Sequence, residues 1–213
     1  MNFSGYEWIA TDSRGDKVGP GPNIFSSDNV WVDEYGLHLR IKDNTCAGAT
    51  TKEILGEGRY VFKIIGRPDF FDPHTVLGLF LYDGSKIPYF EVDIEFCRWG
   101  ESNGPVGSYT IYKDREDNPK TERFDVWLEG THTTHSFEID RYQASFQSFY
   151  GHEEKHLIHS KQFWNRESLD ETGRLTPLFQ SVASAGQINL WQFQGTPVGD
   201  TEVIIREFQF IPR

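Results

Sequence analysis

The segment Tyr89-Phe90-Glu91-Val92-Asp93-Ile94-Glu95-Phe96-Cys97-Arg98-Trp99 alternates apolar and acidic residues without interruption from Phe90 to Phe96. Side chains of an extended strand point to opposite faces in turn. Phe90, Val92, Ile94 and Phe96 therefore form one wholly apolar face that must pack in a core. The other face carries Glu91, Asp93 and Glu95 in a row. This pattern commits the segment to a sheet with one buried and one accessible side.

The rest of the chain reads as short strands separated by turn residues. The clearer candidates are Leu37–Lys42, Gly58–Ile65, Val76–Tyr82 and Tyr89–Arg98. Later ones are Gly107–Tyr112, Thr133–Ile139, Ala144–Tyr150, Gln187–Gln192 and Val203–Ile211. Asp33-Glu34-Tyr35-Gly36 predicts a hairpin turn feeding the alternating Leu37-His38-Leu39-Arg40-Ile41. Val76 to Tyr82 is apolar throughout, as for a central strand covered on both sides. One helical stretch is expected, near Trp164–Glu171. The 17 Phe, 9 Tyr and 6 Trp suffice for a large core, and 20 scattered Gly with 10 Pro suit many tight turns. The fold class predicted is all-β, a sandwich or barrel. With no linker or repeat in view, residues 1–213 are read as a single domain.

The formal net charge of −11 repels phosphate backbones and anionic membrane surfaces, which argues against nucleic-acid and membrane partners. An uncharged polysaccharide is compatible with it. No apolar run approaches the ~20 residues of a membrane helix. The N-terminal Met1-Asn2-Phe3-Ser4 has neither the basic nor the apolar region of a signal peptide. A cytoplasmic setting is expected for the chain as written, or an extracellular or periplasmic one if a leader has been removed. A monomer is expected. Cys46 and Cys97 read equally well as a disulfide or as two buried thiols. No CxxC pair or His/Cys cluster suggests zinc.

Neighbours on one strand face lie ~6.6 Å apart. Three like charges at that spacing repel, so a purely structural use is not obvious. Glu91 and Glu95 have Cα atoms ~13 Å apart, and side chains leaning toward each other bring their carboxyls to roughly 5–6 Å. Retaining glycosidases separate nucleophile and acid/base by about 5–5.5 Å. Crowded carboxylates push one another's pKa values apart, so one attacks as an anion while another donates a proton. The plain alternative is a solvated acidic face or a cation site.

At this segment the sequence resembles glycoside hydrolase family 16, the group of lichenases and laminarinases, whose signature is Glu-x-Asp-x-Glu. Further segments resemble it in order: Asn29-Val30-Trp31-Val32-Asp33 with Gly36-Leu37-His38-Leu39, Lys52-Glu53-Ile54 with Gly56-Glu57-Gly58-Arg59-Tyr60, Val76–Tyr82, and Ile188-Asn189-Leu190-Trp191. The resemblance implies a jelly roll of two curved antiparallel sheets with glycan across the concave face. It implies Glu91 as nucleophile, Glu95 as acid/base and Asp93 as their hydrogen-bonding partner. It further implies sugar contacts from Glu53, Asn189 and Trp191. Tyr89 stands where the family often has Trp, and it is read, with Trp99, as a stacking platform. No organic cofactor is required, and the resemblance allows a structural calcium remote from the cleft.

The activity implied is retaining, endo-acting cleavage of β-1,3 or mixed β-1,3/1,4 glucan. A lectin-like domain without turnover is the rival from another class, and transglycosylation shares the first half-reaction. Trp8, Trp31, Trp127 and Trp164 are read as packing or rim residues. Arg98 is read as structural, and no orienting partner is evident for His132 or His135.

Overall fold

The structure, a computed structural model, describes residues 1–84, 90–112, 119–164, 172–174, 177–179, 181–194 and 199–213. Among them are fifteen strands: β1 (Asn2–Phe3), β2 (Tyr6–Ala10), β3 (Val30–Asp33), β4 (Gly36–Ile41), β5 (Ala47–Leu55), β6 (Gly58–Ile65), β7 (Thr75–Asp83), β8 (Phe90–Phe96), β9 (Gly107–Tyr112), β10 (Lys120–Phe124), β11 (His132–Asp140), β12 (Gln143–Tyr150), β13 (His156–Trp164), β14 (Ser184–Gln192) and β15 (Thr201–Pro212). The described residues contain no α-helix. The helical stretch expected near Trp164–Glu171 lies, beyond the end of β13, outside the described residues.

The strands form two antiparallel sheets. One runs β1-β2-β5-β14-β7-β8-β9-β10 and the other β13-β12-β11-β6-β15-β4-β3. This is an all-β sandwich, one of the two classes the strand pattern predicts, in the two-sheet jelly-roll form that the resemblance implies. All nine strands predicted above are present, with ends shifted by a few residues. The hairpin at 33–36 is also present, with Asp33 opposite Gly36 and the Tyr35 N–H donating to Asp33 Oδ1 at 2.8 Å. Gly36 sits at φ 141° with the Ile205 carbonyl where a Cβ would be. A larger residue there would push β4 off β15.

The inner faces share one apolar core. Phe90, Val92, Ile94 and Phe96 of β8 meet Leu77, Leu79 and Leu81 of β7, all buried. Across from them Phe62, Phe137, Phe146 and Phe208 of the second sheet pack with Tyr60 and Tyr109 in tilted and stacked pairs 4.9–6.1 Å apart. Burying one such side chain contributes about 1.5–3 kcal/mol. The β7 run is covered by the second sheet on only one side. Its other face, from Gly78 through Phe80 to Tyr82, opens into a cleft.

Cys46, just before β5, and Cys97, just after β8, are both free and buried. Trp191 of β14 pairs with Val76 of β7 between them. Three strand spacings of ~4.8 Å put the cysteines ~14 Å apart, about twice the reach of a disulfide. Burial pushes their thiols up to about 11 and about 12.

His135 is fully buried between the sheets. Its Nδ1 pairs with Ser148 Oγ and its Nε2 with Thr133 Oγ1, each at 2.8 Å. The ring packs 4.6 Å from Phe96, on the core side of the acidic strand. A neutral imidazole satisfies both hydroxyls, and burial, then the charge of His152, lowers its pKa to about 3. The folded pKa lies below the unfolded value, so between pH ~6.5 and ~3 only the unfolded chain takes up this proton. This histidine therefore contributes stability above pH 6.5 that is lost on acidification, at about 1.4 kcal/mol per pH unit. Glu95 and Asp93 titrate with the opposite sign over part of this range, so the slope should appear in the stability difference between wild type and His135→Gln, measured by guanidinium titration from pH 7 to pH 4.

Candidate active site

On the outer face of the β8 sheet lies a cleft of about 540 Å³. Strand register builds its floor as rows that cross the sheet. Tyr82 of β7 faces Glu91 of β8. Next come Thr50, Gln187, Phe80 and Asp93 on β5, β14, β7 and β8. The third row is Gly48, Asn189, Gly78 and Glu95. All of these side chains point away from the core, because their chain neighbours point into it.

The three carboxylates thus share one cleft. Asp93 is buried, whereas Glu91 and Glu95 are partly accessible. Burial, followed by the charges of Glu91 and Glu95 and a hydrogen bond to Glu91, pushes Asp93 well above the usual carboxylate range. Asp93 is therefore a neutral acid donating to Glu91. Burial, then the charge of Glu91, raises Glu95 to about 8. At neutral pH this arrangement holds a proton on Glu95 and one on Asp93, with negative charge left to Glu91.

Gly78 makes the third row work. A Cβ there would overlap Asn189 Oδ1, so the bare backbone of β7 lets the Asn189 amide lie across it toward Glu95. Asn189 is 8% exposed, and its Oδ1 has no hydrogen-bond partner among the described residues. A buried acceptor left open costs about 1–3 kcal/mol. Facing a cleft, it is an acceptor waiting for a donor.

One end of the cleft is walled by Trp191 and Phe25, which cluster with Cys46, Val76 and Cys97. Trp99 stands behind this wall. It packs edge-on against Trp191 at 6.3 Å and against Phe193 at 5.1 Å, and it is not part of the cleft lining. Its φ of 55° is a left-handed conformation that a bulky residue adopts only when its surroundings require it. Arg98 holds the same bend by donating to the carbonyls of Asp69 and Phe71, as its structural reading anticipated.

Two of the expected sugar contacts are not among the residues that line the cleft. Tyr89 lies outside the described residues. Glu53 is exposed on β5, with Oε1 accepting from the Glu7 N–H at 3.2 Å, and it does not line the cleft. The cause is a bulge: β5 runs from Thr50 to Ile54 while β14 covers only Gln187 to Ala185. Thr51 Oγ1 pins it, accepting from the Gly186 N–H and donating to the Glu53 carbonyl. Phe80, Tyr82, Gln187 and Gly78 line the cleft without having been singled out. Their signal was the alternation inside an apolar run, visible once β7 is set in register with β8. Among the described residues no group of three or more His, Cys, Asp or Glu side chains is placed to hold a metal ion.

The architecture and this open-faced cleft define a two-sheet jelly roll. Solved β-glucanases share this fold. The fold matches a β-glucanase of Bacillus licheniformis with a TM-score of 0.70 and 16% identity, over 100% of this chain and 95% of the other. It matches a prokaryotic β-1,3-1,4-glucanase (lichenase) from a mouse hindgut metagenome with a TM-score of 0.68 and 15% identity, over 100% and 98%. A third match is an immunostimulatory antigen and pseudo β-1,3-glucanase of Mycobacterium tuberculosis, with a TM-score of 0.69 and 16% identity over 97% and 91%. No protein-family model matches the chain, and no curated protein matches it by sequence.

The raised Glu95 has a consequence for stability. Its folded pKa of about 8 lies above the ordinary value of 4.5. Between these pH values the unfolded chain releases a proton that the folded chain keeps. The contribution is full below pH ~4.5 and is lost as pH climbs through 8. Glu95→Gln removes that loss. Thermal melts should show the variant more stable than wild type at pH 8, with the gain vanishing by pH 4.5.

Proposed function

We propose that this protein is a retaining, endo-acting glycoside hydrolase that cleaves β-1,3 or mixed β-1,3/1,4 glucan by double displacement. The observation that carries the reading is the pairing of a proton-holding Glu95 with Glu91 and its neutral Asp93 donor in one cleft. The structural likeness to β-glucanases supports it.

In the first step Glu91 attacks the anomeric carbon while Glu95 protonates the departing glycosidic oxygen. The Asp93 hydrogen bond keeps the Glu91 carboxylate oriented and takes up part of its charge. Formation of the glycosyl ester then removes the Glu91 charge that helps hold the Glu95 pKa up. Glu95, now deprotonated, becomes more stable as an anion and serves as base toward water in the second step. Asn189 Oδ1 is placed to accept from a sugar hydroxyl beside the scissile bond, and Trp191 to bound that subsite. The low formal charge density of a neutral glucan suits a chain of net charge −11.

The second reading, a glycan-binding domain without turnover, is favoured by one finding: a protein described as a pseudo β-1,3-glucanase has the same fold. Release of reducing ends from laminarin and lichenan by wild type and Glu91→Ala separates the two. Hydrolysis requires cleavage by wild type and loss in the variant. Binding without cleavage in both selects the binding domain, and equal cleavage by both removes Glu91 from its role. Glu95→Gln should lose about 10²–10⁴-fold in kcat. The alkaline limb of the wild-type kcat/KM profile should fall near pH 8, where free Glu95 loses its proton.

Gly78→Ala tests the third row independently. The added methyl displaces the Asn189 amide without touching a carboxylate. A misplacement of about 1 Å can cost up to 10²-fold, so kcat/KM on lichenan should drop by about tenfold or more. The Glu95-dependent alkaline limb should persist.

A further inference from the structure

A second groove, of about 910 Å³, lies at the end of the sandwich and shares no lining residue with the cleft. Two large aromatics stand on it almost bare: Trp127 is 78% exposed and Phe70 is 73% exposed. Trp127 is thus neither a core residue nor a rim contact. Tyr150, Thr131, His132 and His156 also line it, adding hydroxyl and imidazole edges to the apolar rings, and Glu129 adds an exposed carboxylate.

The two bare rings are held in place from beneath. Asp69 is 5% exposed and takes both oxygens to Arg67, at 2.8 and 2.7 Å. Asp69 Oδ2 also accepts from the Leu128 N–H, which ties the Trp127 segment to the Phe70 segment. Burial would raise Asp69, but the bonds from Arg67 and Leu128 prevail and hold it below the usual range. Arg67 lies over the Phe70 ring at 4.0 Å and fixes its tilt. Val126 and Leu128, both buried, anchor the chain on either side of Trp127. Taking the Asp69 carboxylate out of water is costly, and here the visible effect of its pairing with the half-buried Arg67 is to hold two aromatic faces in water. Exposed apolar surface of this kind marks an interaction site.

Charge selects the occupant. Arg67 is matched within the groove by Asp69, and Glu129 adds a negative charge, so the groove offers an anion no unpaired guanidinium. A second copy of this chain would bring its own charge of −11 against the first. A neutral chain with alternating C–H faces and hydroxyl edges fits stacked rings bordered by polar groups. A hydrogen-bonded link joins the Phe70 segment to the end of β8: Arg98, two residues beyond that strand, bonds the carbonyls of Asp69 and Phe71 on either side of Phe70.

We infer that the Phe70–Trp127 groove is a second binding site for neutral β-glucan, which holds the polymer while the cleft acts on it. The occupant's identity rests on the proposed function, whereas the existence of the site does not. Affinity electrophoresis in gels containing laminarin or lichenan tests it with the full chain carrying Glu91→Gln to stop turnover. Adding Phe70→Ala and Trp127→Ala should weaken retardation about tenfold, the scale of losing an aromatic anchor. The melting temperature should stay nearly constant, since both side chains are exposed. With Glu91 intact, the double variant should raise KM on the polymers while leaving cleavage of laminaritetraose unchanged.

Retardation unchanged by the double variant, or no retardation of the Glu91→Gln chain in either gel, overturns the site. So does a wild-type dimer in sedimentation that the double variant dissolves, because the groove then seats a second copy. Retardation lost in the double variant while wild type cleaves nothing would keep the site and reject the hydrolase.

Discussion

Everything at the cleft depends on β8 having one face that cannot leave the core. Phe90, Val92, Ile94 and Phe96 are buried against β7 and the second sheet, so the strand cannot rotate or slip by one residue without exposing all four. Glu91, Asp93 and Glu95 are consequently held together although their mutual repulsion favours separation. The core interaction is worth several kcal/mol and outweighs the repulsion. Burial first, and then this crowding, keeps protons on Asp93 and Glu95. Packing on one side of the strand thereby sets the ionisation on the other.

Beside these acids the sheet is built from absences as much as from side chains. Gly48 and Gly78 sit on either side of Asn189 in one row. At Gly78 a methyl would overlap Asn189 Oδ1, and at Gly48 it would come within 2.8 Å of Thr11 Oγ1. The bare strands lower the floor at that point. A ligand atom can approach Glu95 there, while Phe80 and Trp191 keep the floor high on either side. A strand glycine is weak in its own right, and its use in this row is tied to the shape of the cleft.

Much of this was legible in the residues. Period-two alternation located β4, β6, β8, β11, β12 and β15 because each has a polar and an apolar face. It missed β5, whose Ala47-Gly48-Ala49-Thr50-Thr51 opening has small residues on both faces, and β13, whose side chains are largely accessible. It misjudged the second face of β7, since Phe80 lines an open cleft as readily as a core. The position of Glu53 was out of reach because a bulge is a relation between two strands. No local pattern in Lys52-Glu53-Ile54 reveals the residues that β14 lacks. The free state of the cysteines was equally non-local, requiring the order in which four strands lie side by side.

The exposed aromatics show a further limit of pattern reading. Trp127 lies in Val126-Trp127-Leu128, where three apolar residues in a row suggest packing. Its neighbours do pack, and a chain whose side chains alternate then directs the Trp outward. What decides its exposure is Asp69, distant in sequence, which binds the Leu128 N–H and Arg67 together. Both unusual sites in this molecule are therefore stabilised by something buried behind them: an apolar strand face behind three acids, and the Asp69 carboxylate, paired with Arg67, behind two aromatic rings. In each, the buried element forces outward a group that would be cheaper to hide or to separate. A fold selected for stability alone would have little reason to do this at the end of the sandwich, and that asymmetry distinguishes the groove from ordinary surface.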